Sequence, residues 1–216
     1  MERLEKQLFQ ACEYGRIEEV QQLLINNPQV NINWQNNYGE TPFYIACRNG
    51  QVKVVKILLD NKRVDVNKVD RRARITPLNL ACSYQNIEVV KLLLRDQRVD
   101  IYKGSSDYLI PLNIAHYNGD LEIVEYILAC RKVMNLVAKD LKRVHLQVIY
   151  GFRDEEQLQN RERNRKKISE LLEAYERNPN ETRFKLRIQL GLAGKFHFLF
   201  FFLSIEIDSK FLNPNL

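Results

Sequence analysis

Histidine is nearly missing from this chain. There are three in 216 residues, His116, His145 and His197, at no spacing that would let two of them share a metal ion. No serine or cysteine is placed with a histidine and a carboxylate in a way that suggests a nucleophilic triad. Glycine is also sparse. The one stretch that hints at a phosphate loop, Gly191-Leu192-Ala193-Gly194-Lys195, lacks the first glycine at the required distance and the Ser/Thr after the lysine. Long apolar runs are lacking too. Phe196 to Ile205 is the most apolar stretch, and it is shorter than the roughly 20 residues a membrane-spanning helix needs. The opening Met1-Glu2-Arg3-Leu4-Glu5-Lys6 is charged where a secretory signal carries its apolar core. With four cysteines and no such signal, reduced thiols and a cytoplasmic or nuclear location are expected. The sequon Asn180-Glu181-Thr182 then carries little meaning. No enzyme constellation, cofactor site or metal site is expected.

Charge is balanced over most of the chain. Residues 1–130 carry 16 Lys+Arg against 16 Asp+Glu, and residues 131–190 carry 15 against nine, so the net charge of +6 resides in that second segment. A basic excess attracts acidic partners, nucleic acid or anionic lipid through a screened field. The blander reading is a solvated helix face held by i,i+4 pairs, and it is preferred here.

What the chain has in quantity is repetition. Thr41-Pro42-Phe43-Tyr44-Ile45-Ala46-Cys47 runs through Asn49-Gly50 to Val52, Val55, Leu58 and Leu59. The pattern returns 35 residues later at Thr76-Pro77, with Ile87, Val90, Leu93 and Leu94, and 34 beyond that at Ile110-Pro111, with Leu121, Val124, Ile127 and Leu128. A version without Thr-Pro opens the chain, from Leu8 to Leu24, with charged residues on its outer side as a terminal cap requires. A period of this size marks stacked units that bury their apolar faces on one another. Cys12, Cys47 and Cys82 share one column of the repeat, with His116 next in it. Units about 10 Å apart place these thiols too far from each other for a disulfide, so they are read as packing residues.

Gly39-x-Thr41-Pro42, Ala46-Cys47, Asn49-Gly50, Val54-Val55-x-x-Leu58-Leu59 and Val64-Asp65-Val66-Asn67 together resemble ankyrin repeats, over about residues 4–142. The resemblance implies an all-α fold: an ankyrin-repeat solenoid of helix-turn-helix units with β-turn fingers. The expected divisions are a capping repeat at 1–35, repeats at 36–69, 70–104 and 105–138, and a degenerate capping repeat at 139–177. The chain departs from the pattern in places. The finger from Lys68 to Ile75 is one residue longer and has no glycine, Gln85 stands where Gly50 and Gly119 stand, and Tyr102, Tyr108 and Ile110 replace Asn, Gly and Thr. In the last unit Leu146, Val148 and Ile149 are assigned to the first helix and Ile168, Leu171 and Leu172 to the second. A mostly solvated helix is expected from about 154 to 177. Asn178-Pro179-Asn180 should end it, and a short amphipathic helix is expected within Thr182–Leu192. The segment 178–216 is read as an atypical tail. Its Phe196–Ile205 stretch is read as packing on the cap or as an unnatural end, ahead of a membrane contact.

The resemblance also implies that the fingers and the outer side of each first helix line the concave surface. The fingertip residues include Trp34, Asn37 and Tyr38, then Asp70, Arg71, Arg72 and Arg74, then Tyr108. First-helix positions include Tyr44, Arg48, Asn79, Tyr84, Asn113 and Tyr117. Tyr, Trp and Arg are the residues enriched at protein interfaces. The expected function is therefore a non-catalytic scaffold for an unidentified protein partner, with no small-molecule substrate. Nucleic acid and membrane are disfavoured partners. The alternatives are peripheral membrane or nucleic-acid association through residues 131–190 and the apolar tail, and a fragment of a larger ankyrin-bearing enzyme or ubiquitin-ligase adaptor.

Overall fold

The structure, a computed structural model, describes residues 2–103, 110–130 and 155–192. Helices come in pairs: α1 (Glu2–Glu13) with α2 (Ile17–Asn26), α3 (Pro42–Arg48) with α4 (Val52–Asp60), α5 (Pro77–Ser83) with α6 (Ile87–Arg95), and α7 (Pro111–Asn118) with α8 (Leu121–Ala129). Two longer helices follow, α9 (Glu155–Arg177) and α10 (Pro179–Gln189). The first helices of the pairs stack in one layer, α1 on α3 on α5 on α7, and the second helices stack behind them. α9 packs against α7 and α8, and α10 packs against α8 and α9. This is the expected solenoid.

Local chemistry sets the ends of each pair. Thr41 Oγ1 accepts from the Tyr44 amide at 3.1 Å and Thr76 Oγ1 from the Asn79 amide at 3.2 Å, which satisfies one of the free donors at each helix start. Pro42, Pro77 and Pro111 follow at the first helical position, where a missing N–H costs nothing. α7 begins at Ile110, which offers no side-chain cap. Between paired helices the chain must turn through the left-handed region, and Gly50 does so at φ +66°. Gln85 occupies the same place at φ +56°, an unusual conformation for a residue with a Cβ.

The repeat columns form the core. Cys12, Cys47 and Cys82 are fully buried, as are Val20, Val55 and Val124. Val52 was expected in the apolar face but is 38% exposed, because the first residue of α4 sits at the rim of the pair. Adjacent units are also tied by polar contacts to one recurring carbonyl, the last of each first helix. Asn49 and Gln51 donate to Glu13 O, Asn86 to Arg48 O at 2.8 Å, and Asn118 to Ser83 O. Arg161 of α9 donates to Tyr117 O at 2.9 and 2.7 Å, so α9 takes over the next position in that series. A second ladder joins successive units: Asn33 donates to Arg63 O and accepts from the Asp65 amide, and Asn67 donates to Arg98 O and accepts from the Asp100 amide.

The C-terminal cap is less solvated than expected. Ile168, Leu172 and Tyr175 bury one side of α9. The Asn178-Pro179 pair ends α9 and also starts α10, since Asn178 Oδ1 accepts from the Glu181 amide at 3.1 Å. α10 therefore begins earlier than the sequence suggested. Leu186 is buried beneath it, and Arg187 donates to Ala129 O at 3.2 Å. The positions assigned at Leu146, Val148 and Ile149, and the Phe196–Ile205 stretch, lie outside the described residues.

Candidate partner-binding face

The residues expected to contact a partner separate into a cluster and scattered singles. The cluster forms where the first two fingers meet. In the first finger, Asn36 Oδ1 accepts from the amides of Tyr38 and Glu40, both at 2.9 Å, which fixes a tight turn with Asn37 exposed at its tip. Gly39 closes it at φ +84° and lies against the backbone of Arg71, where a Cβ would come within 2.5 Å of the Arg71 nitrogen. That approach lets the Arg71 amide donate to Tyr38 O at 2.9 Å. Only glycine fits there.

The second finger is built around Asp70. Read from sequence as a fingertip contact, it is instead 7% exposed. Its carboxylate accepts from the amides of Arg72 at 3.1 Å, Ala73 at 2.9 Å and Ile75 at 2.7 Å, and it lies beside the Tyr44 ring. Three amide donors on one carboxylate explain how a longer finger without glycine holds a single shape, with Arg74 at φ +55°. Asp70 is therefore a buried organiser of the finger rather than a fingertip contact. The signal for it was the absence of glycine from a turn that needed an organiser.

Tyr44 also requires correction. It was expected on the exposed side of α3 and is 4% exposed, with its hydroxyl turned to Asp70. Burial is the main cause of its raised phenol pKa, and the Asp70 charge adds to it. Asn79 and Asn113, placed at equivalent first-helix positions, are fully buried as well. In this stack these positions are buried rather than exposed to solvent.

Arg71, Arg72 and Arg74 are all exposed. The Arg72 guanidinium lies over the ring of Tyr38, 4.2 Å from its centroid, and Tyr38 remains 49% exposed. Arg48, on α3 nearby, is half-buried and paired with Glu40 at 2.8 Å. Asn37, Tyr38, Arg71, Arg72 and Arg74 thus form one patch. Trp34 does not belong to it: the ring is half-buried and meets Phe9 edge-on at 6.1 Å, joining the first finger to α1. Tyr84 stands alone at the end of α5, 55% exposed. Tyr117 is covered by the cap, with the guanidinium groups of Arg161 and Arg165 at 4.4 and 5.5 Å from its ring. Tyr108 lies outside the described residues.

Stacked helix pairs, fingers joined by asparagines and Thr-Pro caps at a 34- to 35-residue period point one way. A family model described as ankyrin repeats, in three copies, matches residues 8–107 and 69–140. The chain belongs to the ankyrin repeat family. No curated protein matches it. Ankyrin repeats are generally a protein-binding module, and no catalytic domain is identified beside them. Among the described residues no group of His, Cys, Asp and Glu could hold a metal ion, and no helix is long and apolar enough to cross a membrane. Part of the basic charge of α9 and α10 is engaged internally: Arg161 and Arg165 hold Tyr117, and Arg187 holds the end of α8. The sequence reading treated these as solvated charges.

Proposed function

We propose that this ankyrin stack is a non-catalytic scaffold that binds another protein along the face carried by its fingers and first helices. The observation that carries the reading is the patch at Tyr38 and Arg71–Arg74. Its aromatic and arginine side chains lie outside every core column, yet a buried carboxylate fixes the loop that presents them. A preorganised loop loses little further entropy on binding, and exposed Tyr and Arg supply contact area and directed donors. Tyr84 extends the face one unit further along.

Site-specific photo-crosslinking tests this. A crosslinker at position 38 or 84 is expected to capture a protein, and one at Lys53 or Lys56, on the exposed side of α4, is not. Equal capture from both faces, or capture only from α4, would remove the assignment.

A further inference from the structure

We propose that the Arg71–Arg74 finger recognises a short acidic peptide segment, one carrying two or three carboxylates within a few residues. This deepens the scaffold reading and rests on it. Residues 36–48 and 68–75 hold five cations, Arg48, Lys68, Arg71, Arg72 and Arg74, against two carboxylates, Glu40 and Asp70. Both carboxylates are already engaged. Glu40 accepts from Arg48 and from the Asn36 side chain, each at 2.8 Å, and Asp70 accepts the three loop amides. Among the described residues none of Arg71, Arg72 and Arg74 has an acidic partner. Three guanidinium groups are thus presented to solvent from one rigid loop.

Geometry narrows the ligand. Four consecutive residues span at most about 14 Å, so the matching charges must be equally close together. The Arg72 guanidinium sits over Tyr38, 4.2 Å from the ring centroid, which leaves N–H groups to meet a carboxylate with two parallel hydrogen bonds. Among the described residues the next finger adds one exposed cation, Lys103, and the exposed positions at the first-helix ends, Asn49, Ser83 and Tyr84, are uncharged. A nucleic-acid backbone needs a track of cations along its length, whereas a single acidic cluster in a peptide needs only this one. The neutral Asn and Tyr positions suit the uncharged remainder of such a segment.

The test uses the full chain and three fluorescein-labelled probes: a 12-residue peptide with a central Glu-Glu-Asp-Glu, the same peptide with Gln-Gln-Asn-Gln, and a 12-nucleotide single-stranded RNA. Anisotropy at 50 mM salt is expected to show the acidic peptide binding at least tenfold more tightly than the other two. The combined Arg71→Gln, Arg72→Gln, Arg74→Gln variant should lose that preference, while a Lys53→Gln, Lys56→Gln variant, altered on the exposed side of α4, keeps it. Circular dichroism confirms that the variants are folded, and the comparison of acidic and amide peptides on the unaltered chain needs no variant. Equal binding of the two peptides, no binding of either, tighter RNA binding, or an acidic preference that survives the triple substitution overturns the proposal. Those failures leave the scaffold reading standing if crosslinks still form at positions 38 and 84. Loss of those crosslinks defeats the scaffold reading itself.

Discussion

Asp120 shows how one residue records its surroundings. It precedes α8, accepts from the Gln85 side chain at 2.7 Å through Oδ1, and has a buried Oδ2 with no partner. Burial raises its carboxyl from 3.8 to about 6, against weaker opposing effects of Asn118, Gln85 and Arg161. A carboxyl with a raised folded pKa stabilises the fold fully below its unfolded value, and that contribution disappears as pH rises through the folded value. Stability should therefore fall between about pH 4 and pH 6 on account of this group. Asp120→Asn is expected to flatten that segment of the curve and to raise stability at pH 7.5 by about 1 kcal/mol, discounted for the group's partial exposure. Chemical denaturation at pH 4.5, 6 and 7.5 checks it, and an unchanged pH slope would refute it. The cysteines make a simpler case. Cys12, Cys47 and Cys82 are fully buried, and that burial raises their thiol pKa values. Folded protein treated with Ellman's reagent at pH 8 is expected to react promptly at Cys130, which is half-buried, while the other three wait for unfolding. Prompt reaction of all four thiols would contradict this packing. The column of small residues was legible from spacing alone. The burial of Tyr44 was not: on α3 it lies beside the Asp70 carboxylate of the second finger, and no periodicity reports such a pairing.

Between residue and molecule stand the helix pair and its turn. The helix starts could be read directly, since Thr-Pro is a cap followed by a residue that needs no donor. The turns could be read where glycine stands. What stayed hidden was how each turn is used by the next unit. Gly50 leaves room for Asn86, whose Oδ1 would lie 2.7 Å from an added Cβ, and Asn86 donates to Cys47 O at 3.0 Å and to Arg48 O at 2.8 Å. Asparagine at that position looks like a loop residue in the sequence. In the fold it joins two units. Asn86→Ala is expected to cost about 1–2 kcal/mol, as befits buried carbonyls that lose their donors. Gly50→Ala is expected to cost a similar amount for a different reason, a strained φ together with displacement of Asn86. If each effect runs through Asn86, the double substitution costs clearly less than the sum of the two, by about 0.5 kcal/mol or more. Urea melts of the four proteins measure this, and strict additivity would show that the glycine acts through backbone strain alone.

At the scale of the whole molecule the stack is quasi-one-dimensional, so each unit's stability depends mostly on its neighbours. The period revealed this architecture, and the uneven charge located the basic excess beyond the matched repeats, but not what those charges do. Arg161 is the clearest instance. It sits in a polar run that reads as solvated helix, yet its guanidinium donates twice to Tyr117 O and lies 4.4 Å from the Tyr117 ring centroid. It is also packed closely on Gly119, where an added Cβ would come within 2.9 Å of the Arg161 carbonyl. The contact that Asn86 makes between internal units is thus made by an arginine from α9 at the end of the array. Losing it removes two charge-assisted hydrogen bonds and a cation–π contact, on the order of 2–3 kcal/mol at that junction. In a fully two-state protein that loss would lower the opening free energy of all the slowest amides equally. In a linear array it is concentrated at the end. Hydrogen exchange on Arg161→Ala is expected to show faster opening in α7 and α8, with amides of α1–α4 changed by less than about 0.5 kcal/mol. A uniform change from α1 to α8 would mean that the units unfold as one, and that the cap stabilises the fingers bearing Arg71–Arg74 from the far end of the stack.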